Sequence, residues 1–243
     1  MKLIEHFLSI QGEGAYAGRL AIFVRFGGCN LRCAGFGVRL KAPNAKELIG
    51  CDTIKAAQCE NFDFKDTNFS ELKNIIKSHN APNAIIVLSG GEPLLHQKNP
   101  DFKDFLRFLV EQNRQVHFER NGTIEPDFNT LPELKNCYFA LGVKLENSGE
   151  SKEKRINAMA LKSIFANSKG AFYKFVLSGA DDEIREIKEI LAIQNGGVWL
   201  MPLGASKNEL EITAPKVAGL AIKHGFNYSD RIHIRLWDNK EGV

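Results

Sequence analysis

The stretch Ala84–Pro93, which reads AIIVLSGGEP, indicates most directly which fold this chain adopts. Its apolar, largely β-branched run Ala84–Ser89 predicts a buried strand that two glycines bring to an end. The segment Asp101–Gln112 follows with helical spacing, because its phenylalanines and Leu109 fall on one face. A buried strand, a glycine turn and an amphipathic helix in this order predict one βα unit.

The same alternation extends along the chain and predicts one α/β domain over residues 1–243. Strands are predicted at Lys2–Ser9, Leu20–Phe26, Ala84–Ser89, Gln115–Glu119, Cys137–Lys144, Ala171–Ser178, Val198–Met201 and Arg231–Trp237. Helices are predicted at Asn68–Lys77, Asp101–Gln112, Phe128–Asn136, Arg155–Ser168, Asp181–Gln194 and Ala214–His224. Strands that alternate with helices indicate βαβ units and a parallel sheet. Residues 27–67 show no strong period, and a region of this length without clear elements indicates a functional insertion.

Composition excludes several classes of protein. The chain has 243 residues, of which 44% are hydrophobic and 25% charged, so it has enough apolar residues to form a core. Its 32 basic and 29 acidic residues are too evenly balanced to indicate a nucleic-acid-binding protein. The apolar runs are too short for a membrane-spanning helix, and Met1–His6 does not resemble a signal peptide. We therefore expect a cytoplasmic protein with neither a membrane nor a nucleic-acid partner.

Five cysteines are present, and four of them, Cys29, Cys33, Cys51 and Cys59, fall within one short region. Clustered cysteines in a chain without a secretion signal indicate metal ligands or redox groups rather than disulfides. Cys29 and Cys33 follow a glycine pair and fit an iron–sulfur cluster, a zinc ion or two packed thiols. Cys137 begins an apolar strand, and a buried thiol is expected there.

Polar loops follow several predicted strands, at the edge where a parallel sheet places its working loops. Arg25 lies within an apolar strand and needs an anionic partner, which a substrate carboxylate or a structural carboxylate would supply. Glu92 is able to accept hydrogen bonds from an ammonium group. Lys144 ends an apolar run, where it either neutralises a ligand carboxylate or extends to solvent.

Six short strings taken together resemble the 7-carboxy-7-deazaguanine synthase family of radical S-adenosylmethionine (SAM) enzymes. They are SIQGEG at 9–14, FVR at 23–25, GCNLRC at 28–33, CDT at 51–53, SGGEP at 89–93 and ERNGT at 119–123. The resemblance implies an incomplete parallel (β/α) barrel of the radical SAM type. It also implies a lyase that converts 6-carboxy-5,6,7,8-tetrahydropterin to 7-carboxy-7-deazaguanine with loss of ammonia. By the same resemblance, this product is a precursor of queuosine, a modified nucleoside of tRNA.

The resemblance implies that Cys29, Cys33 and Cys51 hold a [4Fe-4S] cluster. Radical SAM enzymes usually space their ligands C-x3-C-x2-C, but Phe36 stands here at the third position. Cys51 is followed by Asp-Thr, as the family's third cysteine commonly is, so residues 34–50 are interpreted as an insertion within the cluster-binding loop. Cys59 is the alternative third ligand and lacks the Asp-Thr pair. Three ligands leave one iron free to hold the amino and carboxylate groups of SAM.

The remaining site residues also follow from the resemblance. Contacts to SAM are implied at Gly91, Glu92, Gly142, Val143, Lys144, Met201, Pro202, Leu203 and Gly204. Contacts to substrate are implied at Ile10, Gln11, Gly12, Arg25, Ser89 and the terminal Val243, with Glu119 as a catalytic candidate. Thr53 matches the family's magnesium-binding position, although it is also placed to cap the following helix. The end of the chain departs from the family pattern, and His233 is interpreted as the family's histidine.

The family also implies a flavodoxin- or ferredoxin-like electron donor and a homodimer. Two other functions are compatible with the residues. One is another radical SAM enzyme, such as one that activates a partner protein. The other is a non-enzymatic zinc- or iron–sulfur-binding module that uses Cys59 as a fourth ligand.

Overall fold

The computed structural model describes residues 1–238, 240 and 242. Its strands are β1 (Lys2–Ile10), β2 (Leu20–Phe26), β3 (Val38–Lys41), β4 (Glu47–Gly50), β5 (Lys65–Asp66), β6 (Ile85–Gly90), β7 (Val116–Arg120), β8 (Tyr138–Leu141), β9 (Gly170–Leu177), β10 (Gly197–Pro202) and β11 (Asn227–Tyr228). Its α-helices are α1 (Ile54–Ala57), α2 (Phe69–Ser78), α3 (Pro100–Glu111), α4 (Lys152–Arg155), α5 (Ala158–Asn167), α6 (Asp181–Ile193), α7 (Lys207–His224) and α8 (Ile232–Trp237).

Nine strands form one sheet in the order β11-β10-β9-β8-β7-β6-β2-β1-β5. From β2 to β11 all neighbouring strands are parallel, which confirms the α/β fold class and the mostly parallel sheet. At the other end β1 is antiparallel to both β2 and β5. The main hydrophobic core lies between this sheet and the helices, where Phe102, Phe105 and Leu109 of α3 are fully buried.

Hydrogen bonds join the loop after β1 to the loop after β11, which lie toward opposite ends of the strand order. The Gly14 N–H, after β1, donates to the Ser229 hydroxyl, after β11, at 2.8 Å. The Ile232 N–H donates to the Gly12 carbonyl at 3.0 Å. The sheet must therefore curve until its first and last loops meet, which is the geometry of an incomplete barrel.

Aromatic rings fill the barrel at the amino ends of the strands. The Tyr16 ring packs edge-on against His117 with centroids 4.3 Å apart, and His117 stacks on Tyr138 at 4.9 Å. Burial lowers the pKa of His117 to about 4, so the imidazole is neutral at pH 7 and fits among these rings. With this end filled, space for a ligand remains at the carboxyl ends.

Two predicted elements near strand ends are wrong. Arg231–Trp237 is the last predicted strand of the alternating series. Residues 232–237 form α8 instead, and the true last strand is the short, polar β11. The predicted helix Phe128–Asn136 reduces to a 3-10 turn over residues 132–136, because side-chain bonds of Asp127 hold the preceding residues in a turn.

Residues 27–67 contain more structure than their lack of period indicated. Between the second and third predicted cluster cysteines, a 3-10 turn over residues 34–36 leads into the antiparallel hairpin β3–β4. The hairpin has its own small core, in which Ala42 and Leu48 pack with Ile54 of α1.

Helix α7 begins earlier than predicted, because Ser206 and Glu209 form a capping box. Among the described residues, no helix combines the length and hydrophobicity needed to cross a bilayer.

Candidate active site

A cavity of about 670 Å³ opens at the carboxyl ends of the parallel strands. Its wall brings together most of the residues that the sequence predicted: Ile10, Gln11, Gly12, Arg25, Cys29, Cys33, Cys51, Thr53, Ser89, Gly91, Glu119, Gly142, Val143, Lys144, Met201, Leu203, Gly204 and His233. Glu92 and Pro202, both predicted SAM contacts, do not line it. Val243 lies outside the described residues.

The Glu92 carboxylate, a predicted SAM contact, holds the loop after β6 through both of its oxygens. Its Oε1 accepts the Leu94 N–H at 3.1 Å and its Oε2 accepts the Asn121 N–H at 2.9 Å. The Arg120 guanidinium lies 3.7 Å away, and both side chains are fully buried. A carboxylate committed to these partners ties the Ser89–Pro93 loop to the loop after β7.

The paired glycines of this loop allow it to lie directly against the loop that carries the first cysteine. Gly91 has no room for a side chain, because a Cβ there would stand 2.2 Å from the Gly28 carbonyl oxygen. Gly90 has a φ of +135°, and its Cβ would clash with Phe26. The Glu92 N–H completes the contact by donating to the Gly28 carbonyl at 2.9 Å. The sequence motif therefore meets a packing requirement next to the cysteine loop.

The five cysteines divide into two groups. Cys29, Cys33 and Cys51 line the cavity, whereas Cys59 and Cys137 are buried and do not. Burial raises the pKa of the Cys29 thiol to about 11 and of the Cys33 thiol to about 12, so both are protonated at pH 7 unless a metal displaces the proton.

The donor set fits a cluster better than a single ion. Within residues 1–238, 240 and 242, no group of three or more Cys, His, Asp or Glu side chains is arranged to hold one metal ion. A four-iron cluster binds each thiolate through a different iron, so its ligands need not converge on one point. A tetrahedral zinc site does require that convergence. Cys29, Cys33 and Cys51 line one cavity, so three thiols are accessible from a common space.

Thr53 occupies the position before α1 but makes no capping hydrogen bond there. Its hydroxyl lies 3.3 Å from the Cys51 sulfur instead. Thr53 also lines the cavity, so its oxygen is accessible from the same space as the thiol. The structure thus gives no support to the capping role.

A buried ammonium group lies between two carboxylates on the cavity wall. Lys174 of β9 donates to Glu13 Oε2 at 2.9 Å and to Glu119 Oε1 at 2.8 Å. Glu119 also accepts a bond from the Gln11 side-chain amide at 2.9 Å. Burial opposes the charge of Lys174, but the two carboxylates outweigh it and raise the lysine pKa above its usual range.

Arg231 extends this network toward the cysteines. Its guanidinium donates to Glu13 Oε1 at 2.9 Å, to Asp52 Oδ2 at 2.5 Å and to the Gly204 carbonyl at 2.6 Å. Burial would raise the pKa of the Glu13 carboxyl, but Lys174 and Arg231 hold it well below its usual range. Four residues of this network were not predicted from the sequence as site residues: Glu13, Asp52, Lys174 and Arg231.

Two polar residues on adjacent strands line the cavity side by side. Arg25 on β2 and Ser89 on β6 are in register, and both belong to the cavity wall. Arg25 Nη1 donates to Glu5 Oε1 at 2.6 Å, which is the structural carboxylate that the sequence left open. The Arg25 side chain is nevertheless 28% exposed, so part of this cation is accessible to a polar ligand.

Comparisons with known proteins agree with this geometry. A family model described as a 4Fe-4S single cluster domain matches residues 10–165. The 7-carboxy-7-deazaguanine synthase of Halobacterium salinarum is 30% identical over 97% of this chain and 90% of its own length. The enzyme of Pyrobaculum aerophilum is 29% identical over 100% and 97%, respectively. The chain belongs to the 7-carboxy-7-deazaguanine synthase family. As a member it is a radical SAM lyase, which decides against a zinc-binding module.

Solved structures confirm the fold of the family member. The crystal structure of QueE from Escherichia coli superposes with a TM-score of 0.65 at 18% identity, covering 96% of this chain and 94% of that one. Streptococcus suis SuiB bound to S-adenosylmethionine gives a TM-score of 0.55 at 13% identity, covering 86% of this chain and 51% of SuiB. The incomplete radical SAM barrel is therefore the architecture of this chain.

Proposed function

We propose that this chain converts 6-carboxy-5,6,7,8-tetrahydropterin to 7-carboxy-7-deazaguanine with loss of ammonia. The observation that carries the proposal is that Arg25 and Ser89 line the cavity from paired positions on neighbouring strands. The Arg25 side chain is 28% exposed although it pairs with Glu5. Its guanidinium is therefore proposed to bind the substrate carboxylate from the cavity wall, with Ser89 beside it.

The rest of the cavity suits a flat, polar bicyclic ring. Phe7 and Phe23 stack with centroids 4.9 Å apart and form an apolar part of the wall. Gln11 and Glu119 present amide and carboxylate groups from the adjoining strand ends. A pterin edge carries both donors and acceptors, so these side chains are proposed to orient it, with Ile10 and Gly12 beside them.

The cofactors are proposed to occupy the other side of the cavity. Cys29, Cys33 and Cys51 would hold the cluster, and the loop at Gly91 would hold the methionyl end of SAM. Other contacts to SAM are proposed from Gly142, Val143, Lys144, Met201, Leu203 and Gly204, all on the wall. When bound, the cluster and SAM supply a carbon radical that removes a hydrogen atom from the substrate. The chain's own residues orient the ring and exclude water around it.

A magnesium ion is proposed beside Thr53, where a hydroxyl oxygen would supply one of the hard ligands that this ion prefers. Substrate oxygens and waters would complete its coordination. If so, magnesium raises turnover of the wild type, and Thr53→Ala removes most of this response without changing the melting temperature. An unchanged magnesium response in Thr53→Ala would contradict the site.

Several further properties remain proposals that follow from the family. They are a flavodoxin- or ferredoxin-like electron donor, a homodimer and a cytoplasmic location. The interpretation of residues 1–243 as one radical SAM domain, with an insertion at 34–50, is also a proposal. The hairpin β3–β4 gives that insertion a folded form.

The test is anaerobic reconstitution followed by turnover. The protein is incubated with SAM, a reductant and the pterin, and 7-carboxy-7-deazaguanine and ammonia are quantified. Cys51→Ala should lose bound iron and all product, whereas the matched variant Cys59→Ala should retain both. Cleavage of SAM without product from this pterin would overturn the proposed substrate and favour another radical SAM reaction.

A further inference from the structure

Arg231 connects three separate parts of the chain through polar contacts, and the proposed function gives it no role. Its side chain is only 7% exposed, yet it projects from the loop before α8 toward the cavity wall. Its three nitrogens reach three segments that are far apart in sequence, through Glu13, Asp52 and the Gly204 carbonyl.

Each contacted residue lies beside a different part of the site. Glu13 follows Gln11 and Gly12, the residues proposed to orient the substrate. Asp52 stands between the proposed cluster ligand Cys51 and Thr53, and its side chain is 50% exposed. Fixing the Asp52 carboxylate therefore restricts the backbone that carries both neighbours.

The geometry requires an arginine in particular. A guanidinium is planar and offers donors in several fixed directions, whereas a lysine ammonium is a point charge at the end of a flexible stem. Separate nitrogens of Arg231 bind the three acceptors: Nε binds Glu13, Nη1 binds Gly204 and Nη2 binds Asp52. A lysine here would keep the charge but could not hold all three segments at once.

We infer that Arg231 is a positioning residue that fixes the Cys51–Thr53 segment relative to the Gly12–Glu13 loop, and so sets the distance between the cluster side and the substrate side of the cavity. The inference rests on the proposed function for its kinetic consequences. Its structural consequence, a rigid Cys51–Thr53 segment, applies to the protein without cofactors as well.

The first experiment uses the protein without cofactors and measures hydrogen exchange. The amides of Ile54, Ala56 and Ala57 are bonded to the carbonyls of Cys51 and Thr53 at 2.9–3.1 Å and report on this segment. Arg231→Lys and Asp52→Ala should each increase their exchange at least tenfold. Asp52→Ala removes a half-exposed carboxylate, so it tests the contact in a variant whose core is intact.

Arg235→Met is the matched control, because Arg235 lies on α8, directly after Arg231, and also pairs with a carboxylate, Asp230, at 3.0 Å. It should leave exchange over residues 54–57 unchanged. Equal exchange in Arg231→Lys, Asp52→Ala and wild type would overturn the inference.

The second experiment measures turnover of the reconstituted protein. Both variants should raise the KM for the pterin about tenfold or more and change the KM for SAM much less, with iron content retained. Combining them should cause a less than additive loss, since both variants remove the Arg231–Asp52 contact. Additive losses, or a lowered melting temperature with unchanged KM, would reduce Arg231 to a structural role and overturn the inference. If wild type fails to convert the pterin, the proposed function fails, and the exchange data still decide the role of Arg231.

Discussion

Replacing Lys174 by methionine is expected to destabilise the protein strongly, because it leaves two carboxylates on the cavity wall without their shared cation. The ammonium is 7% exposed and lies 2.9 Å from Glu13 and 2.8 Å from Glu119. Glu13 keeps Arg231 at 2.9 Å, but Glu119 keeps only the neutral Gln11 amide. Leaving a largely buried carboxylate without its cation costs about 3–5 kcal/mol. Methionine keeps nearly the length and shape of the side chain, so a cavity contributes little to this loss.

The measurement is urea unfolding of the protein without cofactors at pH 7, followed by circular dichroism. Lys152→Met provides the matched control, because Lys152 pairs with Glu189 at the same distance, 2.8 Å, but with side chains 57% and 49% exposed. An exposed pair of this kind is worth about 0.2–1 kcal/mol. Adding Glu119→Gln to Lys174→Met should restore part of the loss by removing one unpaired charge. If Lys174→Met costs no more than Lys152→Met, the reasoning about this buried network is refuted.

Three other predictions concern the loop after β6 and the acid response, and a control variant on α7 accompanies the second. Glu92→Gln should cost about 3–5 kcal/mol in urea unfolding, because it leaves the fully buried Arg120 without its carboxylate. Gly91→Ala should weaken SAM binding in equilibrium dialysis and lower stability by about 1–3 kcal/mol, as its Cβ would meet a carbonyl oxygen at 2.2 Å. Gly219→Ala, in open space on α7, should change stability by no more than about 1 kcal/mol, in the stabilising direction. Burial alone would raise the pKa of the Glu13 carboxyl, but its cationic partners outweigh burial and hold that pKa below its usual range. The free energy of unfolding should therefore fall as the pH drops below about 4.3, the pKa of an unperturbed glutamate, and on through the lower pKa of Glu13 in the folded protein.

The sequence predicted the positions of cavity residues well wherever a glycine-rich or polar loop follows a buried strand. Ser89, Gly91 and Lys144 were found in this way, because parallel strands end at a common edge. The bonds of Glu92 were not predictable, because a motif shows that a carboxylate is present but not that its oxygens accept bonds from the Leu94 and Asn121 N–H groups.

Lys174 was predictable as a site residue on the same ground as Arg25, because it too lies within an apolar strand. Both are cations within an otherwise apolar strand, and such a charge must have a buried partner. The partners themselves were not predictable, since Glu13 and Glu119 are separated from Lys174 by 161 and 55 residues. Arg231 was predicted to begin a strand, but residues 232–237 form a helix whose first N–H donates to the Gly12 carbonyl, a contact between distant parts of the chain that the sequence does not reveal.

The distribution of polar groups within the barrel bears on why the buried network exists. At the amino ends of the strands the space is filled by rings such as Tyr16 and Tyr138, and this packing suffices to close the barrel. At the carboxyl ends it is lined instead by Lys174 and Arg231 with their carboxylates. Buried ion pairs can often be replaced by apolar residues of similar volume without loss of stability. Stability therefore does not by itself explain why Lys174 and Arg231 lie with their carboxylates at the cavity. Carboxylates that are already paired and fixed in direction present a preorganised polar surface, which needs no rearrangement as charge moves within a bound substrate.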